Sequence, residues 1–164
     1  MADPELLELA RQVGVALHAK RWTLASAESC TGGWIAKTLT DVPGSSAWMD
    51  RGVVTYSDRS KQELLGVSAA TLRVHGAVSE AVVRAMAEGL RARSGVDVSV
   101  AVSGIAGPGG GSLEKPVGTV WLAWSLAAAT RAQRVQLPGD REAVRRQAVR
   151  AALAGLLNAL AGDG

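Results

Sequence analysis

Residues 96–111 read VDVSVAVSGIAGPGGG. Valines alternate with small or polar residues through Val102, the period-two pattern of a strand with two differently dressed faces. The chain then carries five glycines and a proline within residues 103–111. Glycine loses the most conformational freedom on folding and proline donates no backbone hydrogen bond, so neither a helix nor a central strand continues there. A strand that empties into such a segment puts it at the carboxyl edge of a sheet, where ligands of α/β folds gather. The segment alone admits a phosphate cradle, a lid or a long turn. It is not a P-loop, because no GKS or GKT follows, and it lacks the G-x-G-x-x-G spacing and following helix of a dinucleotide site.

The rest of the chain alternates helical and strand patterns. Asp3-Pro4 reads as a helix start, with Leu6, Ala10, Val13 and Leu17 on one face. WTLASA (22–27) reads as a short buried strand, Glu28–Gly33 as a turn, and WIAKTL (34–39) as a helix ended by VPGSS. GVVTYS (52–57) is the next strand, and DRSKQELLG a helix with Asp58 as cap and Gly66 as stop. Ser79 caps EAVVRAMAEGLRAR. After the glycine segment, VGTVWLAWSLA and TRAQRVQL form two strands joined near Ala127–Ala129, and Asp140 caps a last helix over about 141–160. The length suits one domain, 1–164, with no linker or repeat. The expected fold is α/β, a layered α/β/α domain with a mixed, mostly parallel sheet.

Composition narrows the function classes. Of 164 residues, 48% are hydrophobic and 20% charged, which fits a globular protein. The apolar runs are too interrupted to span a bilayer, and MADPELLELARQ has acidic residues where a signal peptide needs basic ones, so no membrane partner and a cytoplasmic location are expected. A single cysteine permits no internal disulfide and fits a reducing compartment. The net charge of +3 is mild and its late arginines are local, so nucleic-acid binding is not expected. No Cys/His set has metal-ligand spacing, and His18 and His75 read as a helix residue and a turn residue. The five tryptophans read as core or interface packing, or less often as a wall for a flat ring.

Polar clusters fall at the carboxyl ends of predicted strands. AESCTGG (27–33) takes a strand into a helix through small residues, leaving helix-start amides unpaired for an anion or an oxyanion. Ser29 or Cys30 could be a nucleophile there, or the stretch could be an ordinary capped turn. In TYSDRSK (55–61), Lys61 shares a face with Leu64 and Leu65 and opposes the helix dipole. Desolvation and the dipole both favour the neutral amine that a general base must be. Alternatively Lys61 snorkels to water and Tyr56 is a core aromatic. In GDREAVRRQ (139–147), Arg141 and Arg145 stand at a helix start, which suits phosphate binding, or pairing with Glu142 and solvent.

AESCTGG, GSSAW, RGVVTYS with Lys61 and LGV after it, HGAVSE, SGIAGPGGG, KPVGTVW and GDRxxVRxQ occur together and in order. That set resembles the CinA C-terminal domain family, over about residues 5–155, in its stand-alone form. The family's characterised bacterial members are nicotinamide-nucleotide amidohydrolases. The resemblance implies hydrolysis of the carboxamide of nicotinamide mononucleotide, with Ser29 as nucleophile, Lys61 as activating partner and Tyr56 assisting, and no cofactor or metal. Around them Glu28, Cys30, Thr31, Gly32, Ser103, Gly104, Gly107, Arg141 and Arg145 are expected to bind substrate, with Ser103–Gly107 lining the site and Pro108–Ser112 as its mobile rim. The competing reading is a nucleotide-binding or regulatory module of the competence/damage-inducible kind. A homo-oligomer, as a symmetric dimer, is expected.

Overall fold

In the computed structural model, which describes residues 1–162, the alternating segment becomes the middle strand of a five-stranded sheet. The elements are α1 (Pro4–Lys20), β1 (Leu24–Glu28), α2 (Trp34–Thr40), β2 (Met49–Val54), α3 (Asp58–Leu65), α4 (Ala69–His75), α5 (Glu80–Ser94), β3 (Val98–Gly104), β4 (Thr119–Leu126), β5 (Thr130–Gln136) and α6 (Arg141–Gly162). The strand order is β2-β1-β3-β4-β5. β1 runs parallel to both β2 and β3, whereas the β3–β4 and β4–β5 pairs are antiparallel. The parallel and antiparallel pairs are thus equal in number, and the sheet is mixed.

The two faces of β3 explain its alternation. Val98, Val100 and Val102 join one apolar cluster with α1, α2 and α6. Ala101 faces the other cluster, formed with α3, α4 and α5, and the Ser99 hydroxyl donates to the Ala87 carbonyl of α5 at 2.6 Å. Small residues on that face (Ala25, Ala27, Ala101, Ala123) let α5 approach the sheet closely. The chain leaves β1 toward β2 on one side and returns to β3 on the other. That reversal opens a crevice at the carboxyl ends of β1 and β3.

Several boundaries differ from the sequence reading. β1 ends at Glu28 rather than Ala27, and β2 spans Met49–Val54 rather than 52–57. The cap of α3 is Ser57, in a reciprocal box with Ser60, so Asp58 is the first helical residue and favours the dipole there. Leu65 is buried but Leu64 is exposed. Helix α4, capped by Ser68, was not anticipated, because Leu72 is its only buried residue and a seven-residue segment shows almost no periodicity. His75 closes this helix instead of lying in a turn. Among the described residues no helix is long and apolar enough to cross a membrane.

Close packing sets one sharp limit. A Cβ built on Gly89 of α5 would stand 1.8 Å from the Leu65 carbonyl oxygen at the end of α3. Backbone cannot swing aside as a side chain can. Gly89→Ala is therefore expected to lower unfolding free energy by about 1–3 kcal/mol in urea titrations; unchanged stability would mean that α3 and α5 do not meet this closely.

Candidate active site

The crevice collects residues from the ends of three strands. Ser29 follows β1, and its amide donates to the Val102 carbonyl of β3 at 3.1 Å. On the other side, the Thr55 amide after β2 donates to the Glu28 carbonyl at 2.8 Å. The parallel pairing thus continues one residue past β2 and places Thr55 beside the turn that carries Ser29.

Lys61 completes the group. It stands in the first turns of α3, yet only 1% of its surface is exposed. Its Nζ donates to the Thr55 carbonyl at 2.7 Å and reaches Ser29 Oγ at 3.3 Å. Burial pushes the lysine pKa below its ordinary value, against weaker attraction from Asp58. A neutral amine held by one carbonyl keeps a lone pair for the serine proton. The Ser–Lys contact can therefore generate a nucleophile without histidine. His18 and His75 do not line this cleft.

The cleft above Ser29 has a volume of about 280 Å³ and is bounded by Cys30, Tyr56, the 104–110 segment and Arg141. Arg141 bridges its mouth. One terminal nitrogen donates to the Gly107 carbonyl at 2.8 Å and the other to the Tyr56 hydroxyl at 3.0 Å. Tyr56 is 61% exposed and is not a core aromatic. Gly104 to Gly107 line the cleft, and so do Gly109 and Gly110 of the expected rim. Ser103 is buried in β3, and the lining begins one residue after it.

Four residues expected to contact substrate, Glu28, Thr31, Gly32 and Arg145, are engaged elsewhere. Glu28 is fully buried. Its carboxylate accepts from the Thr31 hydroxyl at 2.6 Å and from the Ile35 and Ala36 amides at 2.8 and 3.0 Å. Burial raises its pKa, while those donors favour the anion. Glu28 thus caps α2 from inside the fold rather than facing substrate, and the Thr31 side chain is spent on it. Arg145 donates to the Cys30 and Thr31 carbonyls at 3.1 and 3.4 Å and stacks over Trp34 at 5.8 Å. It lines a neighbouring cleft with Gly32 and Trp34, not the one above Ser29. Gly32 has a left-handed φ of +60°, and its amide is taken by the Ser29 carbonyl at 3.0 Å.

Cys30 lies in the apolar cluster under α6. Burial lifts its thiol pKa to about 11, which removes the thiolate that a cysteine nucleophile needs. The Lys61 amine contacts the Ser29 hydroxyl. Sequence reasoning missed the Thr55 carbonyl, whose only signal was its place between strand and tyrosine. Among the described residues no group of three or more His, Cys, Asp or Glu is placed to hold a metal ion.

Residues 6–160 match the CinA C-terminal domain. A protein of Enterobacter agglomerans named nicotinamide-nucleotide amidohydrolase PncC is 57% identical over 149 residues, 90% of this chain and 91% of that one. The protein of the same name from Escherichia coli (strain K12) is 54% identical over 154 residues, 93% of each chain. In the crystal structure of the competence/damage inducible protein CihA from Agrobacterium tumefaciens, the fold superimposes with a TM-score of 0.94 at 42% identity, covering 98% of each chain.

The buried lysine carries a stability signature. Its folded-state pKa lies below 10.5, so the folded protein resists protonation that the unfolded chain accepts. The penalty is fully present below the folded pKa and vanishes as pH rises toward 10.5. Lys61→Met is therefore expected to raise the melting temperature at neutral pH, with a gain that shrinks as pH climbs. A gain independent of pH would contradict a depressed lysine.

Proposed function

The chain belongs to the CinA C-terminal domain family, and on that footing we propose that it hydrolyses the carboxamide of nicotinamide mononucleotide to nicotinate mononucleotide and ammonia. The observation that carries this reading is the buried Lys61 amine 3.3 Å from Ser29 Oγ. The amidohydrolase names of relatives more than half identical along nearly the whole chain supply the substrate.

Neutral Lys61 takes the Ser29 proton as Oγ bonds to the carboxamide carbon and the carbonyl electron pair moves onto oxygen. The amide of Cys30, which lines the cleft and has no backbone carbonyl partner among the described residues, receives that oxyanion. The carbon–nitrogen bond then breaks, and the amine leaves as ammonia with the proton held by Lys61. Tyr56, whose hydroxyl oxygen already accepts from Arg141, keeps its own proton free as a donor to the departing nitrogen. Water attacks the acyl carbon next, gives a proton to Lys61, and releases nicotinate mononucleotide as Ser29 recovers its hydrogen.

Arg141 suits the ribose phosphate. Only two of its hydrogen bonds go to Gly107 and Tyr56, and a guanidinium has five donors. The amides of Ala106 and Gly107, which have no backbone partner among the described residues, belong to the same cleft. A charged group at the cleft mouth and apolar small residues at its floor match a substrate with phosphate at one end and a carboxamide at the other.

Ammonia release from nicotinamide mononucleotide tests the proposal. Ser29→Ala should abolish turnover, and Lys61→Met should reduce kcat by roughly 10²–10⁴-fold. In the unaltered protein kcat should rise with pH along a limb whose midpoint lies below 10.5. Tight binding with no ammonia would favour the regulatory-module reading, and full activity in Ser29→Ala would remove the serine from the mechanism.

A further inference from the structure

The wall of the cleft changes character at Ile105. Its amide donates to the Thr119 carbonyl at 2.9 Å, and its carbonyl accepts from the Gly118 amide at 2.8 Å. The backbone there is clamped onto the start of β4 and has nothing left for a ligand. The next two amides, of Ala106 and Gly107, have no backbone partner among the described residues. Those two residues offer donors, whereas Ile105 offers only its side chain. That residue is half-buried and lines the cleft above Ser29, yet it belongs to neither apolar cluster of the fold. A Cβ built on Gly110 would stand 3.6 Å from Ile105 Cγ2, so the side chain reaches toward the rim of the cleft.

An isoleucine outside both cores keeps apolar surface that a ligand can cover. Among the described residues that bound this cleft, Ile105 has the one aliphatic side chain larger than a methyl group. The glycines contribute backbone, and Tyr56 is held at the mouth by Arg141. A β-branched side chain is stiff at χ1, so Ile105 presents a fixed face with little freedom to lose on binding. The carbon that Ser29 attacks in nicotinamide mononucleotide is bonded directly to the pyridine ring. That ring must therefore lie inside the same cleft of about 280 Å³, at the end away from the phosphate. A flat ring against a fixed aliphatic face gains many close contacts and excludes water.

We propose that Ile105 seats the pyridine ring, its side chain against one flat face while the carboxamide meets Ser29. The ring comes from the amidase reading, on which the proposal rests; the clamped isoleucine outside both cores comes from the fold. Ile105 then selects amides borne on a flat ring over small aliphatic amides. It does so at the opposite end of the ligand from Arg141, which holds the phosphate.

Calorimetric titration with two ligands separates a ring seat from a structural wall. Nicotinate mononucleotide carries the ring and the phosphate, and ribose 5-phosphate carries the phosphate alone. Ile105→Ala should weaken the mononucleotide roughly 100-fold, and Ile105→Val, one methyl group smaller, roughly 10-fold. Both variants should bind ribose 5-phosphate as the unaltered protein does. Arg141→Ala should weaken both ligands. In ammonia release, Ile105→Ala should lower kcat/KM for nicotinamide mononucleotide and for nicotinamide riboside by the same factor. The valine variant preserves the test if the alanine variant does not fold. Unchanged affinity for the mononucleotide in Ile105→Ala would overturn the proposal. So would an equal loss for ribose 5-phosphate, because a wall that merely keeps its shape serves both ligands. If the unaltered protein binds the mononucleotide but releases no ammonia, the amidase reading fails while the two titrations still decide the ring seat. If it binds neither ligand, both readings fall.

Discussion

Thr55 ties the site together with its backbone alone. Its amide donates to the Glu28 carbonyl and its carbonyl accepts from Lys61 Nζ, at 2.8 and 2.7 Å. The first bond extends the β1–β2 pairing by one residue, and the second fixes where a buried lysine ends. Ser29 and Lys61 are 32 residues apart in sequence, and the backbone of this one residue, through the peptides on either side of it, brings them together. A buried ammonium without partners would cost several kcal/mol. Here the amine has a carbonyl to hold and a serine to meet, and burial favours its neutral form.

Much of this could be read from the residues. The alternation of 96–103 gave a two-faced strand, and the glycine segment after it lies at the carboxyl edge of the sheet beside Ser29 and Lys61. A lysine at the start of a helix, on the face of Leu64 and Leu65, left burial and snorkelling both open, and the structure buries it beside Leu65 with Leu64 exposed. What could not be read depended on which way a chain end turns. Glu28 looked like a polar group facing a ligand, because nothing local says that α2 folds back to put its amides on that carboxylate. Arg145 looked like a companion of Arg141 because it is one turn on. One turn also means about 6 Å along the axis and 40° around it, enough to aim the second guanidinium at the Ser29 turn instead of the cleft mouth. Helix α4 was invisible for the opposite reason: it buries too little to leave a pattern.

The glycine segment is held more firmly than its composition suggests. Lys115 Nζ donates to the His75 carbonyl at 2.8 Å, Arg134 to the Glu114 carbonyl at 2.9 Å, and Arg141 to that of Gly107. Its glycines serve close approach: a Cβ on Gly104 would stand 2.6 Å from Val120, and one on Gly107 2.4 Å from Val117. The connection from β3 to β4 is a wall built of backbone, tied down by its own Lys115 and by two cations from elsewhere, Arg134 of β5 and Arg141 of α6.

The charges of the site are divided by depth. Lys61 and Glu28 are sealed in the interior, whereas Arg141 stands in water at the rim. Mobile ions screen exposed charges over about 8–10 Å and scarcely reach buried ones. Ionic strength therefore acts on one half of the machinery only. On the proposed mechanism, salt would weaken the capture of a phosphorylated ligand at Arg141, while proton transfer between Ser29 and Lys61 would go on in a medium that dissolved ions do not enter.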